Sequence, residues 1–255
     1  MQISGQGLAD TFPVEEFAPH PARELRCRVV SVTSLNHDMR ELRLALEAGG
    51  LFAFSAGQYA QIEFAPGLSR YYSMASTPTD EQLVFLLRSR KSGLRAAPEP
   101  AAGDELKLCG PLGSAYLRDQ HAGPVLLVAG GSGLAPILSI LRTLLGRGSG
   151  ARIALYFGVR GERDVYNETL LAGLAAAHDK FSFQIVLSEP DGASARRRGL
   201  VHQAVADDLA DAAGYKAYLA GPPPMVAAAD EMLLGRGIAR RDIHADAIDR
   251  KALER

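Results

Sequence analysis

From Leu25 onward the chain alternates apolar and polar positions in short runs. Residues 26–32 alternate, and 39–46 place Leu42, Leu44 and Leu46 on one face, the period of a strand buried on one side. Four more strands are predicted at 58–64, 70–75, 83–88 and 105–109, punctuated at Gly49-Gly50, Pro66-Gly67, Pro78 and Gly110-Pro111. Six short strands with almost no helical signal predict a small antiparallel barrel. Past residue 120 the rhythm changes. Strands at 125–129, 153–157, 181–187, 215–220 and 243–247 alternate with helices at 134–145, 165–177, 200–209 and 223–234; Ile137, Leu138, Leu141, Leu144 and Leu145 form one apolar stripe. Strict strand–helix alternation predicts a parallel sheet covered on both faces. The expected architecture is therefore two-domain: a six-stranded antiparallel β-barrel over 21–120 and an α/β parallel-sheet domain over 121–255, divided near 118–123. Residues 1–20, interrupted by Pro13 and Pro19, are expected to be a tail.

Composition narrows the function. The chain has 28 Lys plus Arg against 29 Asp plus Glu, a net charge of −1, which argues against a sequence-independent nucleic-acid binder. Its two cysteines, Cys27 and Cys109, cannot ligate an iron–sulfur cluster or a Cys-rich zinc site, and no His pair has metal spacing, so no metal is expected. The longest apolar run, about Val125 to Ala129, is far short of a membrane span, and the first residues carry neither the basic nor the apolar stretch of a signal peptide. With so few cysteines, a soluble, cytoplasmic protein is expected.

Three segments carry candidate chemistry. In Ala129-Gly130-Gly131-Ser132-Gly133-Leu134-Ala135-Pro136, between a buried strand and an amphipathic helix, glycines let a backbone approach a ligand and a helix N-terminus offers amides to an anion. Pro136 stands where the dinucleotide fingerprint has its third glycine, and a plain Gly-rich turn is the alternative reading. In Arg70-Tyr71-Tyr72-Ser73, Arg70 offers a fork suited to pyrophosphate, Tyr72 a flat stacking face and Ser73 a small donor. Alternation puts Arg70 and Tyr72 on one face and Tyr71 on the other; a solvated Arg beside half-buried tyrosines is the plainer account. In Ala220-Gly221-Pro222-Pro223-Pro224-Met225, a strand ends and a proline-started helix begins where an open parallel sheet binds ligands.

Taken in order, together with Gly110-Pro111-Leu112-Gly113, these motifs resemble the ferredoxin–NADP reductase superfamily, most closely the reductase components of bacterial multicomponent oxygenases, over roughly residues 23–248. The resemblance implies an FAD-binding barrel and an NAD(P)-binding α/β domain. Arg70 would hold the flavin phosphates, Tyr72 would pack on the isoalloxazine and ribityl, and Ser73 would hydrogen-bond flavin N5, with Tyr72 and Ser73 at the reacting centre. Leu87 and Arg88 would border the flavin. Gly131, Ser132 and Gly133, followed by Pro136, would cradle the dinucleotide pyrophosphate, and Gly221, Pro222 and Met225 would shape the nicotinamide pocket.

The chain departs from the family pattern in four places. The second flavin-phosphate loop, 91–99, is shortened; it keeps Gly93 but has Ala96 at the serine position. Ala220 replaces a frequent cysteine, Ile248 a frequent terminal aromatic, and the two cysteines cannot supply a plant-type iron–sulfur domain. The implied enzyme takes two electrons from NAD(P)H onto FAD and passes them singly to a separate ferredoxin or oxygenase component. Ser188-Glu189 at the end of the third parallel strand favours NADH, because Glu189 repels a 2′-phosphate. NADPH is left open by Arg160 and by Arg196-Arg197-Arg198, a run that either binds phosphate or an acidic partner or forms a solvated loop. Two alternatives stand beside this reading: an NAD(P)H:flavin reductase that releases reduced flavin, and a non-catalytic subunit of a larger redox complex.

Overall fold

The computed structural model describes residues 20–88, 99–118 and 121–247. The expectations for the 1–20 tail (all but its last residue), for Gly93 and most of the 91–99 loop, and for Ile248 lie outside the described residues. The first half consists of β1 (Arg23–Ser34), β2 (Met39–Leu46), β3 (Tyr59–Ala65), β4 (Leu68–Ser73), β5 (Gln82–Arg88) and β6 (Glu105–Leu112). They form one antiparallel sheet in the order β4-β3-β6-β1-β2-β5, curled until Met74, just past β4, bridges Phe85 of β5. The period-two pattern sends Cys27, Leu42, Leu44, Ile62, Phe85 and Leu108 inward, all fully buried.

The second half runs β7 (Val125–Gly130), α1 (Leu134–Gly146), β8 (Ile153–Val159), α2 (Glu168–Ala177), β9 (Phe181–Leu187), β10 (Arg197–Arg198), α3 (Val201–Asp208), β11 (Lys216–Gly221), α4 (Pro223–Gly235) and β12 (Ile243–Ala247). Its sheet is parallel, in the order β10-β9-β8-β7-β11-β12. Alternate residues of the central strands feed two cores: Leu127, Leu155 and Tyr218 face α1 and α2, whereas Leu126, Val128 and Leu219 face α3 and α4.

The expected strands and helices are present, with two differences. The helix predicted from 165 begins at Glu168: a short 3-10 turn spans Glu162–Asp164, Val165 is extended, and Asn167 takes a left-handed φ of +57° that no helix continues through. The two-residue β10 was not predicted, because a strand made of two arginines carries no apolar signal.

The run Leu83-Val84-Phe85-Leu86-Leu87 explains how the halves join. A strand that is apolar at every position is buried on both faces. Leu83, Phe85 and Leu87 fill the barrel, while Val84 and Leu86 turn outward and pack with Met39 and Leu117 into the same core as Ile137 and Ile140 of α1. Around this apolar contact, Ser139 Oγ donates to the Ser76 carbonyl at 2.6 Å, Arg142 Nη1 lies 2.9 Å from Asp80 Oδ2, and Leu117 N donates to the Ala56 carbonyl at 2.8 Å. Gly57 sits in this seam at φ +106°; a Cβ there would stand 2.6 Å from the Ala115 carbonyl oxygen and 3.0 Å from Ile140 Cδ1. On the far side, His244 of β12 stacks on Tyr218 with centroids 5.2 Å apart, and Tyr218 Oη accepts the Arg118 N–H at 2.9 Å. Burial pushes the His244 imidazole down to about 4, with the positive charges of Arg118 and Lys216 adding to the effect.

Two outcomes follow for stability. Gly57→Ala combines a disfavoured φ with a backbone collision, and should cost about 1–3 kcal/mol in denaturant unfolding. The neutral His244 ring contributes stability above pH 6.5 that is lost as pH falls toward about 4. His244→Phe should therefore flatten the acid side of the stability profile, closing on the unsubstituted chain by about 2–3 kcal/mol between pH 7 and pH 4 in urea titrations.

Candidate active site

The C-terminal ends of β7, β8, β9 and β11 open onto a cleft of about 1030 Å³, walled on its other side by the β1–β2 turn and Arg88. That turn is set by Asn36, whose Oδ1 accepts the N–H groups of Asp38 and Met39 at 2.9 and 2.8 Å. It is tied across the cleft to the turn after β8: Asn36 Nδ2 donates to the Asp164 carbonyl at 3.1 Å and His37 Nδ1 to the Arg163 carbonyl at 3.0 Å.

Each glycine of the β7–α1 loop has its own reason. Gly131 turns the chain at φ +53° into the 3-10 turn Gly131–Gly133 that leads α1. Gly133 passes under β11 so closely that a Cβ would lie 2.2 Å from the Ala220 carbonyl oxygen. Gly130 and Gly221 leave room for Met225, whose Sδ would be 2.4 Å from a Cβ on Gly130 and whose Cε would be 2.8 Å from one on Gly221. Pro222 caps α4 and Pro223 begins it, the position where a missing N–H costs nothing.

Of the predicted residues, the structure brings Arg88, Gly131, Ser132, Arg160, Ser188, Glu189, Gly221, Pro222 and Met225 to this one cleft. Ser188 N donates to the Val159 carbonyl at 3.0 Å and Glu189 N to the Arg160 carbonyl at 2.8 Å, extending the β8–β9 ladder and setting Ser188, Glu189 and Arg160 side by side on the rim. Pro136 and Gly133 are buried beneath the loop instead of lining the cleft. Leu87 and Arg88, expected beside the flavin, take different positions. The Leu87 side chain is in the barrel core, because it falls on the inward phase of β5. Arg88 ends β5 beside the Gly-rich loop, its Nη2 3.8 Å from where a Gly131 Cβ would be, so it faces the cleft. An ion pair to Asp38 holds it there, with Nε 2.8 Å from Oδ2 at an angle too bent for a hydrogen bond.

Arg70, Tyr72 and Ser73 lie along β4, an edge strand of the barrel sheet. Tyr72 meets Phe64 edge-on at 5.9 Å, and Arg70 Nη1 donates to the Ser69 carbonyl at 2.8 Å. Ser73, on the opposite face with Tyr71, stands beside the Asp246 carboxyl of β12, close enough to favour its charged form. Asp246 in turn pairs in register with Ala220, the residue before Gly221. The half-buried Asp246 carboxyl is raised above its ordinary range by burial, with the Ser73 hydroxyl opposing the shift. Tyr59, opposite Ser73 in the β3–β4 register, meets Tyr71 edge-on at 5.8 Å. Burial raises its phenol pKa, and the Asp246 charge adds to that.

Sequence reasoning missed three residues of the site. Tyr166 is buried, packs edge-on against Phe157 with centroids 5.3 Å apart, and donates its hydroxyl to the Gly131 carbonyl at 2.7 Å, fixing the Gly-rich loop. Burial pushes its phenol far up, so it remains a donor. A lone tyrosine between a turn and a helix gives no periodic signal. Asp246 had one: it is the single acid in the final strand, flanked by alanines. Asp38 sits in a turn, where acids are ordinary.

The arginine run is not free to meet a phosphate as a cluster. Arg196 holds Glu162 and Glu168, Arg197 holds Asp207 and Asp208, and Arg198 donates to the Gly192 carbonyl. Among the described residues no His, Cys, Asp and Glu group is arranged to hold a metal, and no helix is long and apolar enough to cross a membrane.

The comparisons agree with this geometry. Residues 127–231 match the oxidoreductase NAD-binding domain family. The chain is 41% identical over 236 residues to the ferredoxin–NAD(P)+ reductase component of the naphthalene 1,2-dioxygenase/salicylate 5-hydroxylase systems of Ralstonia sp., covering 91% of this chain and 71% of that protein. It is 40% identical over 248 residues to the corresponding naphthalene 1,2-dioxygenase component of Pseudomonas putida, covering 96% and 75%. Among solved structures, an Amycolatopsis cytochrome P450 reductase superposes with a TM-score of 0.82 at 34% identity, covering 89% of this chain and 70% of that one. A ferredoxin reductase of carbazole 1,9a-dioxygenase gives 0.79 at 30%, covering 91% and 71%. With two thirds or more of each protein aligned and a shared two-sheet fold, this chain belongs to the ferredoxin–NAD(P)+ reductase family, among the reductase components of oxygenase systems.

Proposed function

We propose that this chain oxidises NADH with FAD as its resident cofactor and delivers the electrons one at a time to a separate ferredoxin or oxygenase component, the flavin on the 21–120 half and the dinucleotide on the 121–255 half. One observation carries the reading. Ser73 of β4 stands beside Asp246 of β12, and Asp246 is the register partner of Ala220, next to Gly221 at the lip of the cleft. The strand carrying the flavin motif thus meets β12, and β12 lies one strand spacing from β11 at the mouth of the cleft, which brings the two proposed binding regions near enough for transfer between two bound rings.

The residues present fit FAD. Arg70 supplies a fork for phosphate and Tyr72 a ring on one face of the edge strand, and Ser73 a hydroxyl beside the Asp246 carboxyl on the other. Bound FAD supplies the conversion between a two-electron donor and one-electron acceptors. The chain does the rest. Gly131 and Ser132 present the start of α1 to the dinucleotide phosphates, Arg88 adds its charge from the barrel side, and Met225 and Pro222 shape the nicotinamide end. Asp246 keeps its proton to higher pH than an exposed carboxyl and holds Ser73 Oγ in place. Glu189 accepts from a ribose 2′-hydroxyl and repels a 2′-phosphate, which favours NADH. The relatives favour neither a flavin-releasing enzyme nor a non-catalytic subunit. Two free cysteines, with the Cys27 thiol pushed up to about 11 by burial, support a cytoplasmic setting.

The deciding experiment is a visible spectrum of the purified chain followed by anaerobic titration with NADH and NADPH separately. The expected result is a yellow protein bleached by NADH well below the NADPH concentration required, and NADH-driven reduction of a one-electron acceptor. A colourless protein that takes up no added FAD would overturn the proposal. Ser73→Ala should retain FAD absorbance yet lower kcat about 10- to 100-fold in stopped-flow reduction. The raised Asp246 carboxyl contributes stability that is complete below its unfolded value of about 3.9 and is lost as pH rises through the folded one. Asp246→Asn, which cannot ionise, should accordingly gain in melting temperature relative to the unsubstituted chain from pH 4 to pH 8.

A further inference from the structure

We infer that Arg196 is a positioning residue for coenzyme selection: from behind the cleft it locks the loop that carries Glu189 against the turn that carries Arg160. The inference rests on the proposed use of NADH and deepens it.

The observations form a closed circuit. Glu189 N donates to the Arg160 carbonyl at 2.8 Å, and a Cβ on Gly161 would lie 3.5 Å from the Glu189 carbonyl oxygen, so the two chain segments touch at the cleft rim. From Glu189 the chain leaves the sheet, passes Asp191 and returns at Arg196 just before β10. There Arg196 Nε donates to Glu162 Oε2 at 2.8 Å, and Nη1 and Nη2 donate to the two oxygens of Glu168 at 2.7 and 2.9 Å. Ser194 Oγ also donates to Glu162 and accepts the Arg196 N–H at 3.0 Å. Glu162 lies two residues after Arg160, and Glu168 opens α2. Arg196 therefore joins three segments, the return loop, the 3-10 turn and the start of α2, whose other ends form the wall where Glu189 and Arg160 stand.

The bond is a fork on one carboxylate and a single contact on another, a geometry that fixes direction as well as distance. Both glutamates are held below the ordinary carboxylate range by these bonds. The Arg196 side chain is 26% exposed, so it is shielded more than its partners at 45% and 43%. Neither Arg196 nor the two glutamates lines the cleft, so the effect on a ligand passes through the wall. The repulsion between Glu189 and a 2′-phosphate, and its bond to a 2′-hydroxyl, both fall off with distance. A wall released at its return end loosens both.

The test uses the full chain with FAD bound, substituting Arg196→Met and Arg196→Lys, and reads KM and kcat with NADH and NADPH together with calorimetric affinities for NAD+ and NADP+. Arg196→Met should raise KM for NADH about tenfold, leave kcat within about twofold, and erode the NADH-over-NADPH preference about tenfold in both kinetics and affinity. Arg196→Lys, which keeps one charge but not the fork, should recover part of that preference. Should Arg196→Met fold poorly, Glu168→Gln removes the forked partner alone and should shift the preference in the same direction. Equal changes for both coenzymes, or no change in either, would overturn the inference. An unsubstituted chain that oxidises neither coenzyme would remove the reading beneath it, and the inference with it.

Discussion

Where Gly133 runs beneath Ala220, the backbones of two elements lie closer than any side chain allows, and most of the molecule is arranged around that approach. It presses the start of α1 against β11, which places Gly131 at the mouth of the cleft and sets Gly221 beside Gly130 under Met225. The same helix then lays Ile140, Ser139 and Arg142 against the outer face of the barrel. A single helix thus presents its N-terminus to an anion and its body to the other half of the protein. The cleft and the seam are set by one contact because they are two ends of the same rod.

Charge is handled by pairing at the places where a stray one would interfere. Arg88 reaches the cleft already joined to Asp38, and Arg196 and Arg197 are engaged by four carboxylates. Glu189 and Arg160 stand side by side on the cleft rim. An arginine run that reads from sequence as a cationic patch is, in space, a set of struts on the outer edge of the sheet. Surface ion pairs of this kind add little to stability; their value here is geometric.

Much of this was legible beforehand, and the rest was hidden for identifiable reasons. Period-two and period-3.6 patterns located the strands and helices, and the ordered motifs picked out the Gly-rich loop and the Gly-Pro-Pro-Pro turn that line the cleft. The all-apolar run 83–87 was read from sequence only as one of the barrel strands, and the fold shows that both its faces are buried. Leu87 and Arg88 were read together from one strand end, and only the fold shows that Leu87 turns into the barrel core and Arg88 to the cleft. Asp246, Tyr166 and Arg196 act through partners far away in sequence, and only the folded chain brings Ser73, Gly131 and the two glutamates to them. The 165–167 segment misled because its apolar residues suit a helix that the left-handed Asn167 delays.

The shared core bears on how such a protein can be recombined. Leu86, Val84 and Met39 belong to the barrel by sequence but to the neighbouring helix by packing. A graft that exchanged only the C-terminal half for that of a relative would leave these three side chains facing a foreign surface. The natural unit of exchange is therefore the α/β half together with the outward face of β5, and a chimera cut at the linker alone inherits a mismatch in the one place where neither half can relax.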